Sequence, residues 1–283
     1  MSGTVTSMRT TFDLLGLEVG ATPTSFVLPV VDRLSTPFRF LYGGSGVAAS
    51  IEAAETVTDR PLMWITTQFL TNAHPGQQVD IAVDVPVEGR ATTQAQVTAS
   101  VDGTLMLSSL CAHTDRPDDG RQVFLSMPDV PSPDRCAPMF EPFALPEDRP
   151  PSFFDHLERR VAAGSFDFAR REPHTGTLAL WTRLVGRPLG SPASLAFIAD
   201  IVPLGVSLAA GVAPGGTSLD NTLRVVRHDV ETDWVLVEII ASSLQRSIGH
   251  GQVRLWSQAG DLLAVAEQTC IIRTSHHQRT SAG

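Results

Sequence analysis

One order of elements occurs twice in this chain. In the first half, a hydrophobic helix expected over about residues 45–57 is followed by strand-like runs at 62–70, 79–87, 92–101 and 104–112. In the second half, a helix expected over about residues 193–211 is followed by runs at 217–226, 234–242, 249–256 and 262–272. Hairpin turns fall at the same place in both: Val101-Asp102-Gly103 and Gln258-Ala259-Gly260-Asp261,. A helix as apolar as residues 195–210 must be covered on every side, and a meander of successive antiparallel strands can wrap it.

That pattern predicts an α+β double hotdog, in which two central helices are each wrapped by an antiparallel sheet. The two sheets can join edge to edge and so remove exposed strand edges. The expected division is residues 1–115 for the N-terminal hotdog, 116–151 for a linker, 152–274 for the C-terminal hotdog that carries the chemistry, and 275–283 for a disordered polar tail. The linker is marked by Pro128, Pro131, Pro133, Pro138, Pro142, Pro146, Pro150 and Pro151, a density that neither a helix nor an inner strand tolerates,. His276 and His277 lie in that tail, where a frayed end explains them better than a metal site does,.

Composition removes several classes of chemistry. No lysine occurs, so Schiff-base catalysis and a Walker lysine are both excluded,. A net charge of −9 and scattered arginines argue against a nucleic-acid surface,. Cys111, Cys136 and Cys270 are odd in number and far apart, and read as reduced thiols,. With no basic-then-apolar leader visible at the amino end, a soluble cytoplasmic protein is expected,. A membrane span over the apolar run is disfavoured by Asp200 and Pro203 inside it,.

Asp200 is the residue most out of place, since a carboxylate within such an apolar run must be hydrogen-bonded, paired or shifted in pKa,. Aligning Ser50-Ile-Glu-Ala with Ser207-Leu-Ala-Ala sets Gly43 opposite Asp200 in the duplication. Gly43 and Gly44 at a helix start could present free N–H groups to a developing oxyanion, or could simply allow a tight turn,. Gln268 shares a strand face with Leu262, Ala264, Ala266, Cys270 and Ile272, so it looks inward, either as a core amide bonded to backbone or as a site residue,. Ser218 opens the strand after the Asp200 helix, where a hydroxyl is usually structural,. Gly44-Ser-Gly-Val-Ala-Ala49 fits a dinucleotide fingerprint only weakly, because no second crossover unit follows it,. No Gly-x-Ser-x-Gly elbow and no His-Glu-x-x-His occur,.

Taken together, these residues resemble the acyl-CoA thioesterase II family, the double-hotdog thioesterases. The likeness runs through Leu195-Ala-Phe-Ile-Ala-Asp200, Thr217-Ser-Leu-Asp-Asn221, Asp233-Trp-Val-Leu, Gly249, and Gly260 through Gln268 to Arg273. Phe40-Leu-Tyr-Gly-Gly44 and Phe69-Leu70 carry a weaker likeness in the first half. The resemblance implies hydrolysis of acyl-CoA thioesters to free acid and CoA, with Asp200, Ser218 and Gln268 orienting and activating a water. Asp200 and Gln268 match the family pattern directly, whereas Ser218 stands where threonine is common. Arg224 and Val225 replace an aromatic pair, which bears on acyl-chain preference, and Arg227 stands where the family often has arginine. No cofactor, metal or covalent nucleophile is required, and a homo-oligomer, dimer or larger, is expected. The alternatives are a non-catalytic acyl-CoA or acyl-chain binding protein of the same fold, a hotdog dehydratase, and a structural protein. A dehydratase wants a histidine paired with an acid, and none of His156, His174, His228 or His250 has that setting.

Overall fold

The computed structural model describes residues 12–117, 120, 122–139, 150–167, 173, 175–213, 215–228 and 230–273. The expected tail 275–283, together with Pro142, Pro146 and His174, lies outside the described residues. The first half contains β1 (Glu18–Val19), β2 (Ser25–Pro29), α1 (Gly43–Thr58), β3 (Leu62–Phe69), β4 (Gln78–Glu88), β5 (Thr92–Val101) and β6 (Thr104–Thr114). After these come β7 (Ala137–Pro138), β8 (Leu157–Ala163), β9 (Thr177–Leu184), α2 (Pro192–Ala199) and α3 (Val202–Ala209). The chain closes with β10 (Thr217–Ser218), β11 (Asp220–Val225), β12 (Val235–Gln245), β13 (Ile248–Ser257) and β14 (Leu262–Ile271).

The strands form one antiparallel sheet in the order β1-β2-β4-β5-β6-β3-β11-β14-β13-β12-β9-β8-β7, with β10 pairing β14 off that path. Read outward from its middle, β3-β6-β5-β4-β2 on one side is matched by β11-β14-β13-β12-β9 on the other. The double hotdog is therefore realised with its sheets joined edge to edge at β3 and β11. Thr66 faces Thr222 across that seam, their hydroxyls 3.2 Å apart. The sequence reading lacked the strands that precede each helix, β2 and β9.

Strand alternation explains how the sheet closes over a core. In β4, Val79, Ile81 and Val83 are buried while Asp80, Ala82 and Asp84 are exposed, so one face is apolar and one is wet,. The amino half of α1 consists of small residues, Gly43 through Ala49 except for Val47, and these let strands and a second helix approach closely. α1 packs in the concavity of β3 to β6, and α3 packs against β12, β13 and β14.

The second central helix is not continuous, as the sequence reading had it over 193–211, but broken at Asp200 and Ile201. Pro203 has no N–H to donate, and its ring crowds the carbonyl of Ala199 four residues back, so the helix stops and restarts,. α2 leaves the concave face of its own sheet and packs along α1. All eight residues of α2 are buried, with Phe197 edge-on to both Phe12 and Tyr42. Residues 192–209 are apolar and long enough to cross a membrane by composition, but most of that stretch is buried inside the protein.

Candidate active site

The break in the second helix places a carboxylate at the meeting point of three helix ends. Asp200 follows the last turn of α2, with φ −76° and ψ 67°, and its side chain reaches the start of α1, where the Gly44 N–H donates to Oδ2 at 2.8 Å. Gln268 donates its Nε2–H to Oδ1, and the Ser218 hydroxyl approaches the same oxygen at 3.4 Å. Burial pushes the Asp200 carboxyl above its ordinary value, while the donors from Gln268, Gly44 and Ser218 hold it back by favouring the ionised form,.

Gln268 satisfies both readings that the sequence left open. Its Oε1 accepts the Val202 N–H of α3 at 3.2 Å, and its Nε2 reaches Ser218 Oγ at 3.0 Å as well as Asp200. The backbone donor fixes the amide orientation, so the NH₂ end must face the carboxylate. Ser218 is brought in by the short β10, which pairs with β14 at Cys270. Asp200, Ser218 and Gln268, far apart in sequence, thus touch one another directly.

The two glycines do not act as the sequence reading framed them. Neither has a positive φ, and both lie inside α1 rather than in a turn. Close approach is what demands them: a β-carbon on Gly43 would stand 2.6 Å from Asp200 Oδ2, and one on Gly44 would stand 2.7 Å from the Phe197 carbonyl. The expectation of two free oxyanion donors is corrected at Gly44, whose N–H is already engaged by Asp200. Of the two, it is Gly43 that lines the cavity.

Sequence reasoning missed the role of Tyr42. Its hydroxyl lies 3.0 Å from the Phe197 carbonyl and 2.8 Å from the Asp200 carbonyl, and its single proton is shared between these two acceptors where the broken helix leaves them without the usual i+4 donors,. The ring is stacked on Phe153 at 3.7 Å. Burial, and secondarily Asp200, hold the phenol well above its ordinary pKa, so it remains a donor. The signal was present in the sequence, since Tyr42 is the only tyrosine and immediately precedes Gly43.

Asp200, Ser218 and Gly43 line a cavity of about 700 Å³ whose walls include Phe69, Phe153 and Leu204. Among the described residues, no histidine lines it. Arg227 is ion-paired with Asp261. Cys270 lies near the carboxylate, but burial, reinforced by Asp200, pushes its thiol up to about 11, so it is not a thiolate nucleophile,.

The acyl-CoA thioesterase N-terminal domain model matches residues 33–114, and the acyl-CoA thioesterase C-terminal domain model matches residues 133–272. A crystal structure of a protein assigned as a thioesterase from Novosphingobium aromaticivorans DSM 12444 is 30% identical, with 91% of this chain and 98% of that one covered at a TM-score of 0.81. The chain belongs to the acyl-CoA thioesterase II family. Thioester hydrolysis is the chemistry of this family, and the two matched domains meet at the site described above. The tesB protein of Mycobacterium avium subs paratuberculosis shares the fold at 22% identity, covering 92% of this chain and 96% of that one with a TM-score of 0.73. So does the acyl-CoA thioesterase II TesB2 of Mycobacterium marinum, at 18% identity, 94% and 98% coverage and a TM-score of 0.71. No curated protein sequence gives a significant match.

Proposed function

We propose that this protein hydrolyses acyl-CoA thioesters to free acid and CoA, using a water activated by Asp200. The observation that carries this reading is the state of the carboxylate at the cavity wall. A carboxylate offers about four lone-pair positions. Gln268 and Ser218 converge on Oδ1, whereas among the described residues Gly44 alone donates to Oδ2. One position on Oδ2 is left to accept a proton from water.

The chemistry balances without a cofactor. The water oxygen forms a bond to the thioester carbonyl carbon as Asp200 takes one of its protons. Charge collects on the carbonyl oxygen, near the amino end of α1 at Gly43, where the helix dipole favours negative charge,. Collapse breaks the C–S bond, and the proton on Asp200 passes to the departing CoA thiolate. Ser218 and Gln268 hold the carboxylate in place through Oδ1. Burial supports the role of base, because a carboxyl raised above its ordinary range is the stronger proton acceptor,.

A cavity of about 700 Å³ with aromatic walls suits an acyl chain, and cavities of this size commonly bury small ligands,. The cellular setting we infer is cytoplasmic, supported by Cys111, Cys136 and Cys270 all being free, buried thiols,. The test is thiol release from acyl-CoAs graded in chain length, with free acid measured in parallel. Stoichiometric thiol and acid support the hydrolase. Saturable binding with no thiol release from any of them would instead favour a binding protein.

A further inference from the structure

Asn221 is buried to 1% exposure, yet neither its side-chain nitrogen nor its side-chain oxygen makes a hydrogen bond among the described residues. Leaving a buried amide unmatched costs several times what one ordinary hydrogen bond contributes, so a persistent example needs an explanation. Its neighbours supply one. Asn221 pairs with Thr67 on β3, and Thr67 pairs in turn with Ser109 on β6. On its other side the register of β11 and β14, with Thr222 opposite Glu267 and Leu223 opposite Ala266, sets Asn221 beside Gln268.

All four of these residues are buried, and Thr67 and Ser109 share a hydrogen bond of 2.7 Å. A row of polar side chains therefore crosses the concave face of the sheet from Gln268 through the seam between the halves. The rows to either side are mostly apolar: Ile65, Leu223 and Ala266 on one, Phe69, Leu219 and Cys270 on the other. A polar row of this kind, with an amide of unmet donors and acceptor between Gln268 and Thr67, is suited to ordered water,.

We propose that Asn221 is a positioning residue that holds internal water behind Gln268, and that this water supplies the hydrolytic molecule to Asp200. The inference rests on the hydrolase reading above. An acyl chain filling an apolar cavity excludes bulk water from the front, so the nucleophile must be retained inside the protein or delivered from behind. Asn221 and Thr67 provide the polar lining for such a store, and Gln268 connects it to the carboxylate.

The test sets stability against turnover. Asn221→Leu replaces the amide with an apolar group of nearly equal shape, a change that is neutral or stabilising when the amide has no function. On this proposal the variant keeps its Tm and its KM, while kcat falls by about 10-fold or more, the scale expected for losing an ordered water in the site. Asn221→Ser keeps a hydroxyl and leaves room for one more water, so its kcat should stay within about threefold of wild type. Unchanged kcat in Asn221→Leu overturns the proposal, as does a folded Asn221→Ser as slow as the leucine variant. Should Asn221→Leu not fold, Asn221→Ser decides together with a high-resolution crystal structure of the wild type. Ordered water on the Asn221 amide there supports the proposal, and a dry amide overturns it. Wild-type thiol release is measured first, so that failure of the hydrolase reading is distinguished from failure of this one.

Discussion

Gly43 and Asp200, set opposite one another when the two halves are aligned by sequence, meet in the folded chain: a β-carbon on Gly43 would stand 2.6 Å from Asp200 Oδ2. One half contributes the acid and the other makes room for it. Gly43→Ala should therefore push the carboxylate off the Gly44 N–H and lower kcat by about 10²-fold, the low end of what a displaced general base costs. Steady-state kinetics beside a thermal melt would check this, and wild-type kcat in the alanine variant would contradict it.

Much of this arrangement was legible in the sequence because it depends on local pattern. The four strands after each helix follow from alternation and turn chemistry, and Asp200, Ser218 and Gln268 stand out as polar groups on apolar elements. The broken second helix was also written there, in Pro203, but the apolar run around it outweighed that single residue. The binding of Gly44 to Asp200 was not readable. It depends on α2 packing along α1, a tertiary relationship that brings residues about 156 positions apart into contact. The buried row through Asn221 likewise depends on the pairing of β3 with β11, which no local signal encodes.

Tyr42→Phe should keep the stack on Phe153 while releasing the Phe197 and Asp200 carbonyls. The expected cost is about 1 kcal/mol of stability, the usual net worth of a buried hydrogen bond. A roughly tenfold lower kcat with little change in KM should accompany it, because the backbone carrying the base is loosened rather than the substrate contact. A phenylalanine variant with wild-type kcat would separate the hydroxyl from catalysis.

Gln268→Ala removes three contacts at once, leaving the Val202 N–H unmatched and Asp200 with fewer donors. Both activity and stability should fall, the latter by about 1–3 kcal/mol for an unsatisfied buried donor. Chemical denaturation would register the second effect, and an alanine variant as stable as wild type would show that the amide is not holding α3.

Burial raises the Asp200 carboxyl above the ordinary value of about 3.9,. The folded state therefore holds this proton more tightly than the unfolded chain does. Stability from this group is fully present below the unfolded value and is lost as pH rises through the folded one. Asp200→Asn has no such proton to lose, so the Tm difference should move in favour of the variant as pH rises from about 4 through the raised folded-state value,. Comparing the two by calorimetry across that range cancels any constant offset from the amide. A difference that stays flat, or moves toward the wild type, contradicts the raised pKa.

The most direct test of the account is acyl-CoA turnover by Asp200→Asn. An amide at this position retains the shape but cannot take a proton from water, and either orientation turns its NH₂ toward a donor, Gly44 N–H or Gln268 Nε2. With acyl-CoA binding measured by calorimetry as a control, the variant should still bind substrate while thiol release falls by about 10²–10⁴-fold, the range for loss of a general base. Ser218→Ala should fall by less, since its hydroxyl orients rather than accepts. Thiol release by Asp200→Asn at the wild-type rate would contradict the assignment of Asp200 as the base and, with it, the mechanism built around the broken helix.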